Sequence, residues 1–180
     1  MSVKPLNRYI VRSGRKIAGS TIQLCNDSTI IIANRQRTKK INTLLLKQII
    51  AALLTELKIE EAEIGINLVG AREMTLVNET FLQHEGSTDV ITFDHMEKRK
   101  AESGKRKRTH GELFICVDDA MVHARKFKTR WQSEIVRYIV HGVLHLLGHD
   151  DRRVAVRRKM KREENPLLRK LSRRFALSKL

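Results

Sequence analysis

Between Gln132 and Leu147 the chain reads QSEIVRYIVHGVLHLL, and a helix drawn over it is apolar on almost every side. Such a helix has to be buried among other elements. Ser133 is a candidate cap at its start, and Gly148 ends it where a left-handed C-terminal cap belongs. Everything else must be able to wrap it. Ser28 to Ala33 (STIIIA) predicts a strand. Asn42 is placed to cap a helix over residues 43–57, and residues 62–69 alternate as a second strand. A helix over 71–83, a strand over 89–93, a charged loop over 96–110, a strand over 112–117 and a helix over 120–128 complete the series. The order predicts an α/β (α+β) fold: one small mixed β-sheet of about four strands, packed with about five helices around the 132–147 helix. From Val154 on, apolar positions at Met160, Leu167, Leu168, Leu171 and Phe175 predict a helical tail that Pro166 divides into two pieces.

Charge divides the chain in a different way. The 180 residues carry 36 Lys and Arg against 20 Asp and Glu, a net charge of +16. Residues 1–40 hold +8, 96–108 hold +5 and 152–180 hold +10, while 41–95 hold −6 and 109–151 hold −1. The reading is therefore a basic N-terminal arm (1–27), a domain (28–151) and a basic C-terminal tail (152–180). Clusters of this kind attract polyanions, of which nucleic acid is the commonest. The longest unbroken apolar run is the six residues Ile49 to Leu54, far short of the roughly 20 that a membrane span needs. Two isolated cysteines, Cys25 and Cys116, exclude a disulfide scaffold and suit a reducing compartment, so a cytoplasmic location is expected. The arm lacks the apolar stretch of a secretory signal.

His141 and His145 stand four apart on the central helix, so both imidazoles leave the same face. Burying two unpaired imidazoles costs free energy, and a metal ion resolves that cost. The spacing suits two ligands of one zinc ion. After Gly148 the chain can turn back with a third, and His149, Asp150 and Asp151 are the candidates. Zinc proteases place a Glu directly after the first His as general base, whereas Gly142 stands here, which argues against peptide hydrolysis. Phosphodiester hydrolysis stays open.

HGVLHLLGHDD (141–151) resembles the HGxLHLxGxDH signature of the YbeY family, the bacterial rRNA-maturation endoribonucleases. STDVITF (87–93) is similar to that family's PTDVLSF segment, and GELFIC (111–116) to its GDIVIS strand. The blocks keep the family's order and spacing. The resemblance implies a single-strand-directed endoribonuclease using one Zn2+ per chain, acting in 16S rRNA 3′-end maturation and small-subunit quality control. The implied zinc ligands are His141, His145 and Asp151, the last standing where the family has a third His, with His149 as the alternative. Thr88 and Asp89 become candidate catalytic residues and Glu112 a further pocket residue. Lys105, Arg106, Lys107 and Arg108 in the loop, and Arg152, Arg153, Arg157 and Arg158 in the tail, are candidate RNA-binding residues. The family's Arg before the PTDV block falls on Leu82. That departure favours a second reading, a ribosome-binding assembly factor with a structural metal and little or no nuclease activity.

Overall fold

The computed structural model describes residues 22–23, 28–96, 107–151 and 153–180. Lys105, Arg106, Arg152 and most of the basic arm lie outside the described residues. The elements are β1 (Ile22–Gln23), β2 (Ser28–Asn34), α1 (Thr43–Glu56), β3 (Glu61–Val69) and α2 (Ala71–Leu82). They continue with β4 (Val90–Asp94), β5 (Arg108–Cys116), α3 (Val117–Phe127), α4 (Trp131–Leu146) and α5 (Val154–Arg174), and a 3-10 turn at Leu177–Lys179. The strands form one mixed sheet in the order β1-β2-β3-β5-β4. β2, β3 and β5 run parallel, with β4 antiparallel to β5 on one edge and the two-residue β1 antiparallel to β2 on the other. This is the α+β architecture expected of the sequence.

Strand alternation sends Ile64, Ile66 and Leu68 of β3 and Leu113 and Ile115 of β5 into one core, where α1 and α4 bury Leu46, Ile50, Leu53, Ile135, Ile139 and Val143. On the other face a smaller cluster of Val69, Met74, Val77, Ile91, Phe114 and Cys116 packs under α2. Burying a Leu or Ile side chain contributes about 1.5–3 kcal/mol, so the first cluster dominates stability. Asn42 caps α1 as expected, its side chain accepting from the Leu45 amide at 3.0 Å.

Four local expectations need correction. β5 begins at Arg108 rather than 112, because β3 offers it a parallel partner from Glu61 onward. α3 begins directly at Val117, with the Cys116 thiol accepting from the Asp119 amide at 3.5 Å. α4 begins at Trp131 with Arg130 as its N-cap, so Ser133 lies inside the helix and caps nothing. Pro166 does not divide the tail, and α5 runs unbroken through it. A proline inside a helix removes one backbone hydrogen bond and costs about 3 kcal/mol. Met160, Glu164, Leu167 and Leu171 form one buried stripe along α5, and the packing of its three apolar members in the main core offsets that cost.

Candidate metal centre

α4 carries His141 and His145 on one side, and its C-terminal turn brings the chain back beside them. Gly148 takes φ +84°, a left-handed conformation that favours glycine. Its amide donates to the His145 carbonyl at 2.8 Å, and the His149 amide to the Leu144 carbonyl at 3.1 Å. This closes the helix as a Schellman-type turn. It also delivers the His149 carbonyl to the His145 ring, whose Nδ1–H donates to it at 2.9 Å. On the other ring, Nδ1 of His141 lies 3.3 Å from Oε2 of Glu164, a buried residue of α5.

Both rings thus spend Nδ1–H on an oxygen acceptor, and both direct Nε2 to a common point. The two Nε2 atoms are 3.0 Å apart, and Asp151 stands across from them, with Oδ2 3.6 Å from His141 and Oδ1 3.9 Å from His145. Two ligand atoms each about 2.1 Å from a tetrahedral zinc lie roughly 3.4 Å apart. The three separations bracket that value. In this tautomer pair two nitrogen lone pairs face each other beside a carboxylate, an arrangement that a cation between them relieves. The donor set of two imidazoles and a carboxylate fits a divalent metal ion.

The electrostatics follow from the same contacts. Burial draws His141 toward lower proton affinity, but the hydrogen bond and charge of Glu164, with Asp151 and Asp89 beyond, outweigh it and raise its pKa. His145 is lowered by burial and by the neighbouring His141. Burial of Glu164 is overcome by His141 and Arg137, which hold its carboxyl below the usual range. Arg137 bridges Glu164 at 3.0 Å and Glu134 at 3.3 Å.

The other sequence candidates fall in distinct places. The His149 side chain turns away to Glu163 at 3.3 Å. Asp150 accepts from the Asp151 amide at 2.7 Å. Asp89 faces a cavity of about 490 Å3 that His141 and Asp151 also line. Its Oδ1 accepts from the Val90 amide at 3.0 Å and from the Thr88 hydroxyl at 3.2 Å. Glu112 does not reach this pocket. Its neighbour Leu113 meets α4 at Gly142, so strand alternation puts Glu112 on the opposite face, beside Asn67 and His95. Lys107 donates to the Leu57 carbonyl and Arg108 pairs with Glu61. Arg153, Arg157 and Arg158 are exposed on and just before α5. Leu82 ends α2 with 45% of its surface exposed, and no cation occupies that position.

Sequence reasoning missed Glu164 and Arg137. The one available signal was Glu163-Glu164, the sole acidic pair in a tail with twelve basic residues. A protease-type base is excluded sterically as well as chemically. A Cβ at Gly142 would lie 2.4 Å from Cδ2 and 2.8 Å from Cγ of buried Leu113, so the helix packs on the sheet where that Glu would stand.

A family model described as Endoribonuclease YbeY matches residues 31–172. The chain is 35% identical over 111 residues to a protein named Endoribonuclease YbeY of Chlorobium luteolum, covering 62% of this chain and 75% of that one. It is 32% identical over 124 residues to the protein of that name from Chlorobium phaeovibrioides, covering 69% and 78%. Among solved structures, a solution structure of TM1509 from Thermotoga maritima shares the fold, with a TM-score of 0.55, 22% identity, and coverage of 79% of this chain and 88% of that one.

Proposed function

The chain belongs to the endoribonuclease YbeY family, which its match over residues 31–172 establishes, and from that membership and the site geometry we propose a metal-dependent, single-strand-specific endoribonuclease. Its proposed substrate is the 3′-terminal region of 16S rRNA during small-subunit maturation and quality control, in the cytoplasm. Among the described residues no helix is long and apolar enough to cross a membrane. The observation that carries the reading is the convergence of His141 Nε2, His145 Nε2 and the Asp151 carboxylate.

Those three residues hold one zinc ion. Bound there, zinc supplies Lewis acidity toward a phosphoryl oxygen and acidifies water. The protein's own part is orientation. Glu164 and the His149 carbonyl hold both rings by Nδ1, so neither can rotate away. Asp89, steadied by Thr88, is the carboxylate on the cavity wall available to accept a proton from attacking water. The exposed Arg153, Arg157 and Arg158 supply cations for the RNA backbone.

The test is cleavage of a labelled single-stranded RNA by zinc-loaded wild type and His141→Ala, with circular dichroism on both. The reading expects cleavage by wild type, loss with chelator, and loss in a folded His141→Ala. Cleavage retained in His141→Ala contradicts it. One observation favours the assembly-factor reading: the end of α2 offers exposed Leu82 where the family has its Arg. Unfolding on metal removal, with no cleavage by any sample, would establish that alternative.

A further inference from the structure

The cavity beside the metal cluster has an unusual wall. Where it meets the cluster it is lined by His141 and Asp151, and α5 contributes Arg157 and Lys161, one helical turn apart on the same face. Arg157 reaches back through Nε to the Asp151 carbonyl at 3.0 Å. Among the described residues neither cation is paired with a carboxylate, in contrast to Arg137, which two glutamates neutralise. Phe127 also lines the cavity. It sits at the end of α3 and keeps 59% of its surface exposed, with Lys126 Nζ over the ring at 5.5 Å from the centroid. His123 flanks it, ring centroids 5.9 Å apart, and the Tyr138 hydroxyl lies 2.7 Å from Nδ1 of His123. Burial raises the Tyr138 pKa strongly, so the phenol stays protonated. The contact to the Tyr138 hydroxyl fixes the His123 ring beside Phe127 on the cavity wall.

Two cations without a carboxylate partner on one cavity wall, with a largely exposed aromatic ring on the same cavity, are the chemistry of a phosphate and an unstacked base. The volume is within the range of small-ligand sites. Resting on the nuclease reading above, we propose that this cavity is the subsite for the nucleotide adjoining the scissile phosphate of single-stranded RNA. Arg157 and Lys161 hold its phosphate, and Phe127 stacks its base beside the His123 ring. A paired base is already stacked and cannot enter, so the cavity selects unpaired strands at the metal centre. The subsite also provides cations from α5 beside the candidate metal ligands.

The test is binding of a fluorescein-labelled short oligouridylate to full-length protein in chelator, read by fluorescence anisotropy at fixed salt. Wild type is compared with Arg157→Gln/Lys161→Gln, with Phe127→Ala, and with Lys159→Gln/Arg162→Gln, which removes equal charge from α5 away from the cavity. Thermal melts confirm that all four are folded. The subsite predicts about tenfold or greater weakening for the cavity pair and for Phe127→Ala, and only a few-fold loss for the charge-matched control. Equal weakening by the two charge pairs, unchanged binding by Phe127→Ala, or no binding by wild type would overturn it. Since the assay needs no metal, cavity-dependent binding without cleavage in zinc would fail the nuclease reading alone. Cleavage and binding that ignore all three cavity residues would fail the subsite alone.

Discussion

Oε2 of Glu164 lies 3.3 Å from Nδ1 of His141, although 23 residues and the whole Gly148 turn separate them in sequence. The contact joins the basic C-terminal helix to the metal-binding helix through one ring. The same carboxylate takes Arg137 at 3.0 Å, so α4 and α5 are tied together at the level of the candidate metal ligands.

Glu164→Gln should therefore weaken zinc binding about 10- to 100-fold, the usual cost of losing a partner that orients a ligand histidine. Isothermal titration of zinc into chelated protein measures it. Affinity equal to wild type would show that the His141 ring needs no outside support.

Zinc should add stability without being required for folding, because the main core closes without the cluster. At a free concentration about a hundredfold above Kd, binding contributes about 2.7 kcal/mol. For a chain of this size that raises Tm by roughly 5–10 °C. Calorimetry with and without chelator reads the shift. Unfolding of the chelated protein at room temperature would mark the metal as structural.

Gly142→Ala should destabilise the domain by about 1–3 kcal/mol through overpacking, less up to about 1 kcal/mol gained in helix propensity. The new Cβ meets Leu113, which is fully buried and has nowhere to move. Denaturant melts that show Gly142→Ala more stable than wild type would mean that helix and sheet separate more readily than their packing implies.

Cys116 should be silent toward thiol reagents in the folded protein. Burial raises its pKa to about 12, with the Asp119 amide partly opposing. Below the unfolded thiol's pKa, near 9, both states keep the proton and the stabilising contribution is complete. It is lost as pH rises from about 9 toward 12, since the unfolded chain then ionises first. In a Cys25→Ser background, labelling at pH 8 should track global unfolding. Rapid native labelling would show that the strand end opens locally.

Legibility in the sequence followed the range of the interactions. His141 and His145 were readable because a four-residue helical spacing and ligand chemistry are local, and Gly148 because a left-handed cap has a residue signature. The residues alone leave His149, Asp150 and Asp151 open after that turn, and only the resemblance to the YbeY signature singles out Asp151. Glu164 was not readable, since its partner lies on another helix and a single acid among basic residues carries no periodicity. Pro166 misled because proline's local cost was weighed without the buried stripe of Met160, Leu167 and Leu171, whose worth is tertiary. The start of β5 at Arg108 was hidden for the same reason, as a polar segment became strand by pairing with β3. Glu112 is drawn to the pocket by the resemblance of GELFIC to the family's strand, but which face of the strand it takes is settled only by the packing of Leu113 on α4.

The central claim is most directly tested by elemental analysis of purified wild type, Asp151→Ala and His149→Ala, with RNA cleavage assayed on the same samples. The account predicts about one zinc per chain in wild type and in His149→Ala, both cleaving, and loss of metal and cleavage together in Asp151→Ala. Zinc retained by Asp151→Ala but lost from His149→Ala would contradict the assigned ligand set, and full metal with no cleavage in wild type would contradict the nuclease.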